Sequence, residues 1–312
     1  MRLLPFVLRL AVCCAGIAVA LPARAMEPHA QVTVTPELVV AGSPELIRVT
    51  APDATSIEGE WLTRRIAFFR HGSEWIALAG VDVEAPLGPS VLHITAQVSG
   101  APVDLTQSIA IHAAHYRTGT ITVAPKFVEP PPEALKQIEE ESKLKAAVFA
   151  ASAPEPLWQS SFHAPVAAQA TDSFGTRRMF NGKLASIHKG ADFRAAMGTP
   201  VHAGNSGTVA LARPLYYEGN CVIIDHGMGL FTLSMHFSRI DVKEGQHVKA
   251  GDVLGLSGAT GRVTGPHLHW AVRWQGAYLD PIKLLKLNLN LNGAAKTSHR
   301  ASPHAKPHRA HP

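Results

Sequence analysis

The sequence predicts a mainly β protein with an N-terminal β-sandwich, a linker helix and a C-terminal antiparallel β-domain with long loops. Three observations predict it. Short runs rich in branched residues recur through the first third of the chain, separated by turn residues. A proline cluster and one amphipathic stretch then interrupt them. A second strand-rich region follows, punctuated heavily by Gly and Pro.

The first 25 residues read as an export signal. Arg2 and Arg9 flank the start of an apolar run from Leu10 to Leu21, and Ala23-Arg24-Ala25 offers small residues at a cleavage site. The run is short for a permanent membrane anchor, so no stable insertion is expected after cleavage. Cys13 and Cys14 raise a lipidated alternative, which Val12 disfavours because a small residue should precede a lipidated cysteine. Cleavage after Ala25 leaves Cys221 as the one cysteine. It cannot form an internal disulfide, so the mature fold must rest on its core. The expected location is the periplasm or the extracellular space.

Residues 26–124 form the sandwich-like segment. Val32–Val34, Leu46–Val49, Trp75–Leu78, Val91–Ile94, Ser108–His112 and Thr120–Val123 are its strand runs, with turns at Ala41–Pro44, His71–Ser73 and Leu87–Pro89. It carries no chemical motif; His71, His93, His112 and His115 share no ligand spacing and read as surface or packing residues. Residues 125–158 form the linker. After Pro130-Pro131-Pro132 the spacing predicts one helix over Glu133–Phe149, with Leu135, Ile138, Leu144 and Val148 on a shared face and Glu141 supporting Lys145. The plain expectation packs this helix against the sandwich; partial cover of the active site is the sharper one.

Residues 159–287 form the second β-domain, with its clearest strands at Val222–Asp225, Leu230–Met235, Val253–Leu256 and Leu268–Trp274. Residues 288–312 read as a disordered, basic, His-rich tail. Lys296, Arg300, Lys306 and Arg309 lie there without an acid, as do His299, His304, His308 and His311. The chain's formal charge of +5 therefore resides in the signal and the tail, and no nucleic-acid partner is expected.

The chemistry lies in the second domain. His188 and Asp192 are four apart, and Gly190 and Pro200 argue for a strand or loop there. Imidazole nitrogen and carboxylate oxygen together suit zinc. His267 and His269 are two apart, so a strand points both to one face, while Leu268, Trp270, Val272 and Trp274 take the core face. His236 sits in the apolar run Leu233–Phe237. One carboxylate and four histidines exceed the three ligands of a catalytic zinc and leave two imidazoles for proton transfer and oxyanion stabilisation. There is no HExxH helix motif, and one mature cysteine excludes a Cys-rich structural zinc site.

Taken in order, Ser173-Phe174-Gly175-Thr176-Arg177-Arg178, His188-x-Gly-x-Asp192, Gly219-Asn220, Ile223-Ile224-Asp225-His226-Gly227, His236 and Thr260–Trp270 resemble the LytM/lysostaphin-type zinc endopeptidases over about residues 160–285. The N-terminal sandwich resembles exported Gram-negative members. That resemblance implies one zinc ion held by His188, Asp192 and His269, a catalytic pair of His236 and His267, and hydrolysis of the stem-peptide cross-links of peptidoglycan. It also leaves room for regulatory protein partners. Two alternatives share these features: a non-catalytic wall-binding activator, and a zinc peptidase directed at proteins. Arg177 and Arg178 are expected either to meet substrate carboxylates or to lie as surface charge, and Asn181 to lie near the metal. Gly198–Ala203 and Val242–Asp252 resemble lipoyl-carrier hairpins, but no modifiable hairpin-tip Lys is present.

Overall fold

A computed structural model describes residues 30–121, 125–127, 129–180 and 183–289. The expected signal segment, Asn181 and residues 290–312 of the expected tail lie outside the described residues; Leu289, expected in that disordered tail, is instead buried in the core, with its amide donating to Ser161 Oγ. No helix among the described residues is long and apolar enough to cross a membrane.

The N-terminal segment is two four-stranded antiparallel sheets. One runs Gln31–Thr35, Pro44–Thr50, Glu74–Gly80, Phe69–His71, and the other Arg64–Ala67, Ala54–Trp61, Gly88–Val98, Ala101–Ile111. The two sheets supply Ile47, Val49, Ile57, Trp61, Ile76, Leu92 and Ile94 to the core, all fully or nearly fully buried. Ala54–Trp61 is a strand the run-based reading passed over. Its buried positions are Ala54, Ile57, Gly59 and Trp61, a sparse apolar signal diluted by outward Thr, Ser and Glu. Thr118–Ile121 belongs to neither sheet: it pairs in parallel with Arg177–Phe180, which in turn pairs antiparallel with Lys183–Ile187.

The second β-region is a ten-stranded sheet. Its main path runs Ala170–Asp172, Ala191–Phe193, Leu268–Trp274, Leu230–Ile240, Gly219–Asp225, Gly207–Leu215, His247–Val248. One sheet face adds Val209, Val222, Ile224, Leu230, Phe237, Trp270 and Trp274 to a core that is continuous with the sandwich. The core reading of Leu268, Trp270, Val272 and Trp274 matches: each is at most 2% exposed.

The opposite face is built from Leu211, Cys221, Ile223, Phe231, Leu233 and Ala271. The helix, Pro132–Ala150, covers it with Leu144, Val148 and Phe149. The helix therefore seats on the second sheet and not on the sandwich, and Leu135, expected on its apolar face, stays exposed. Two side chains explain the seating. Glu141 accepts from the Tyr216 amide, and Lys145 pairs with Glu218, so neither makes the expected helix-internal pair. Phe149 also meets Phe231 edge-on at 5.1 Å.

Two buried titratable groups give the fold a pH dependence. His226 is fully buried; Nδ1 donates to Ser206 O and Nε2 accepts from Thr232. Burial pushes its pKa down to about 4. The folded state thus resists a proton that the unfolded chain takes up near pH 6.5. Stability is full above pH 6.5 and falls as pH drops toward 4, by about 3 kcal/mol in all. Glu45 is the opposite case: burial raises it to about 8 despite its Ser43 hydrogen bond. That contribution is full below about 4.5 and is lost as pH rises through 8. Chemical denaturation across pH should show both limbs. His226→Gln flattens the acid limb, and Glu45→Gln flattens the alkaline one; unchanged limbs would contradict these assignments.

Candidate metal centre

Three neighbouring strands assemble the site. In register, Asp192 of Ala191–Phe193 stands opposite His269 of Leu268–Trp274, and His269 stands opposite Met235 of the next strand. His269 shares its sheet side with Ala271, two residues on. His188 enters from the segment just before Asp192, where its amide donates to Thr176 O and its carbonyl accepts from Gly175.

The donor atoms converge. His188 Nε2 lies 3.1 Å from Asp192 Oδ1 and 3.0 Å from His269 Nδ1, and His269 Nδ1 lies 2.8 Å from that same oxygen. Tetrahedral zinc with bonds of 2.0–2.1 Å sets its donors about 3.3 Å apart, so the cluster is of the right size and slightly contracted. His188 Nδ1 faces the Ser173 carbonyl at 3.1 Å and must donate to it. A neutral His188 then turns only a lone pair toward the carboxylate. Such an arrangement calls for a cation between them, and the donor set fits zinc. Among the described residues, His188, Asp192 and His269 are the group able to close on one metal ion.

Burial would raise the Asp192 carboxyl, but the close approach of the His188 and His269 rings outweighs it and holds the group well below the usual carboxylate range. Burial lowers His269, with Asp192 opposing. Both effects favour the deprotonated ligand forms.

His236 and His267 flank the cluster with ring centroids 5.0 Å apart. His236 sits in the long central strand at φ +68°, inside a bulge that breaks the register between Asn220 and Val222. Its amide donates to Glu218 O and its Nδ1 donates to Thr260 O at 2.8 Å. Thr260 is itself held by Asn220 N and Phe237 O. The sequence reading gave Thr260 no role of its own. Burial, then the charges of His269 and His267, push His236 down to about 3. His267 Nδ1 donates to Gly265 O, and its Nε2 lies 3.6 Å from Asp192 Oδ1. Each imidazole thus presents Nε2 for proton exchange.

All five residues expected from the sequence meet at one cleft of about 530 Å³ or, for His188, on its adjoining lobe. Arg178 is not surface charge: its Nη2 donates to Asp192 Oδ2 at 2.7 Å. Arg177 is exposed. Arg262, unremarked in the sequence, stacks over Tyr217 at 4.7 Å and lines both lobes.

Residues 186–281 match the model of Peptidase family M23. The chain is 42% identical over 120 residues to peptidoglycan DD-endopeptidase ShyA of Vibrio cholerae, covering 38% of this chain and 27% of that protein. To ShyB of the same organism it is 38% identical over 133 residues, covering 42% and 31%. It thus spans about a third or less of these relatives' own lengths. An M23-type protein of Pseudomonas aeruginosa superposes with TM-score 0.63 at 28% identity, covering 79% of this chain and 94% of that one. The chain carries a metallopeptidase domain of family M23, and its mainly antiparallel β fold is the one seen in that structural neighbour.

Gly190 offers a local test. A Cβ there would stand 2.4 Å from His269 Nε2 and 2.8 Å from Trp270 O. Gly190→Ala must push His269 out of line, at about 1–3 kcal/mol of strain. Metal titration should find zinc binding at least tenfold weaker with the fold retained by circular dichroism; unaltered binding would refute the packing argument.

Proposed function

We propose that this protein is a zinc-dependent endopeptidase that hydrolyses the peptide cross-links of peptidoglycan outside the cytoplasm, after export by its N-terminal segment. One observation carries the reading: His188, Asp192 and His269 bring three donor atoms within 3.1 Å of one another beside two further histidines. The named activity of the Vibrio relatives supports the choice of substrate.

His188, Asp192 and His269 would hold the metal, one ion per domain. A zinc ion there supplies Lewis acidity and makes water a nucleophile near neutral pH. The chain's own residues do the rest. His236 is neutral at physiological pH, and because its Nδ1 donates to Thr260, Nε2 is free to take a proton from the attacking water. His267, across the cleft, also keeps Nδ1 on the Gly265 carbonyl; as the imidazolium it turns an Nε2–H to the reacting carbonyl, where it stabilises the oxyanion and passes that proton to the departing amine. The Gly265 and Thr260 carbonyls fix both tautomers, so neither ring must reorient during turnover.

Digestion of purified sacculi, read by mass spectrometry of muropeptides, tests the reading. Zinc-loaded protein should convert cross-linked dimers to monomers. A chelator should stop the reaction and added zinc restore it. His267→Ala should keep zinc and lose roughly 10²–10⁴-fold in rate. Zinc-replete wild type that leaves dimers intact would refute the function. Cleavage of glycine-rich proteins in place of sacculi would redirect it to a protein substrate. Full cellular function of His267→Ala would favour a non-catalytic activator.

A further inference from the structure

The two oxygens of Asp192 have different partners. Oδ1 faces the His188 and His269 nitrogens, whereas Oδ2 accepts from Arg178 Nη2 at 2.7 Å. Both members of the ion pair are largely buried, with side-chain exposures of 17% and 12%. Arg178 comes from outside the metal-site sheet. Its strand, Arg177–Phe180, pairs with Lys183–Ile187 and in parallel with Thr118–Ile121. The small three-stranded sheet therefore delivers one guanidinium to the outer oxygen of one ligand.

We propose that Arg178 is a positioning residue that holds Asp192 as a one-oxygen ligand and so keeps the coordination position that faces the cleft open for substrate and water. The proposal rests on the reading of His188, Asp192 and His269 as the metal ligands. An untethered carboxylate turns about its last torsion and can offer both oxygens to a metal. The second oxygen would then fill a position that hydrolysis needs open. A charge-assisted hydrogen bond at this distance and burial opposes that rotation. A guanidinium close to a divalent cation also repels it. The orienting effect should outweigh this repulsion, because outer partners of ligating groups are worth 10–100-fold in metal affinity. Through Nη2, Arg178 bears on the substrate by way of Asp192.

The test compares wild type, Arg178→Ala, Arg178→Lys and Asp192→Ala as full chains. Zinc affinity is measured by chelator competition, the visible spectrum after cobalt substitution, and melting of the metal-free proteins as the check on folding. Asp192→Ala should lose most zinc affinity. Arg178→Ala should bind zinc about 10–100-fold more weakly, and its cobalt band should weaken as the second oxygen enters. Arg178→Lys, which keeps the charge without the planar fork, should recover part of both. Should Arg178→Ala not fold, Arg178→Gln serves in the same comparison. A wild-type cobalt band in the Ala or Gln variant, or zinc binding as tight as wild type or tighter, overturns the role of Arg178. Wild-type zinc affinity in Asp192→Ala overturns instead the ligand reading beneath it.

Discussion

The site depends on one cross-strand register, Asp192 opposite His269. A slip of one residue would turn His269 to the core face and bring Leu268 or Trp270 into the cleft. The core side forbids the slip. Leu268, Trp270, Val272 and Trp274 are buried on the face that packs toward the sandwich, so moving them out would expose two tryptophans. The apolar half of the strand thus fixes the half that carries His269. The same logic extends to the next strand, where Leu230 and Phe237 are buried on the core side while Phe231 and Leu233 face the helix.

A buried carboxylate is tolerated only with partners enough to replace water. Asp192 has two kinds within the chain, the imidazoles on Oδ1 and the guanidinium on Oδ2, and the proposed metal would add a third. Each comes from a different stretch of chain, so the site ties the large sheet to the small one. His236 shows another local constraint. A non-glycine residue at positive φ is strained, and here Glu218 and Thr260 hold it. Glu218 also pairs with Lys145 of the helix. The helix is thereby coupled to His236 through one residue, on the sheet side that carries His269.

Much of this was legible in the sequence because it is periodic or local. The two β-regions, the helix after the triple proline, the core face of Leu268–Trp274 and the convergence of His188, Asp192 and His269 all follow from alternation, turn chemistry and donor type. The helix extends one residue beyond the expected span at each end, since Pro132 is well placed at a helix start. What failed was whatever depends on a partner distant in the chain. The helix's seat could not be read, because its apolar stripe would fit either β-region. Glu141 and Lys145 suit an internal pair equally well until Tyr216 and Glu218 are brought beside them.

Sequence alone determined the composition of the site. Five residues of ligating and proton-carrying type stand in strand-like spacing within one β-region, and side-chain direction along a strand is a local property. Only the tertiary structure decided how they are used. It set Asp192 opposite His269, brought Arg178 from a second sheet onto Asp192's outer oxygen, and bent the strand at His236 so that its ring meets the cleft. Those are pairings between segments up to 81 residues apart, as for His188 and His269. They are chosen by the packing of whole faces, which no short stretch of sequence encodes.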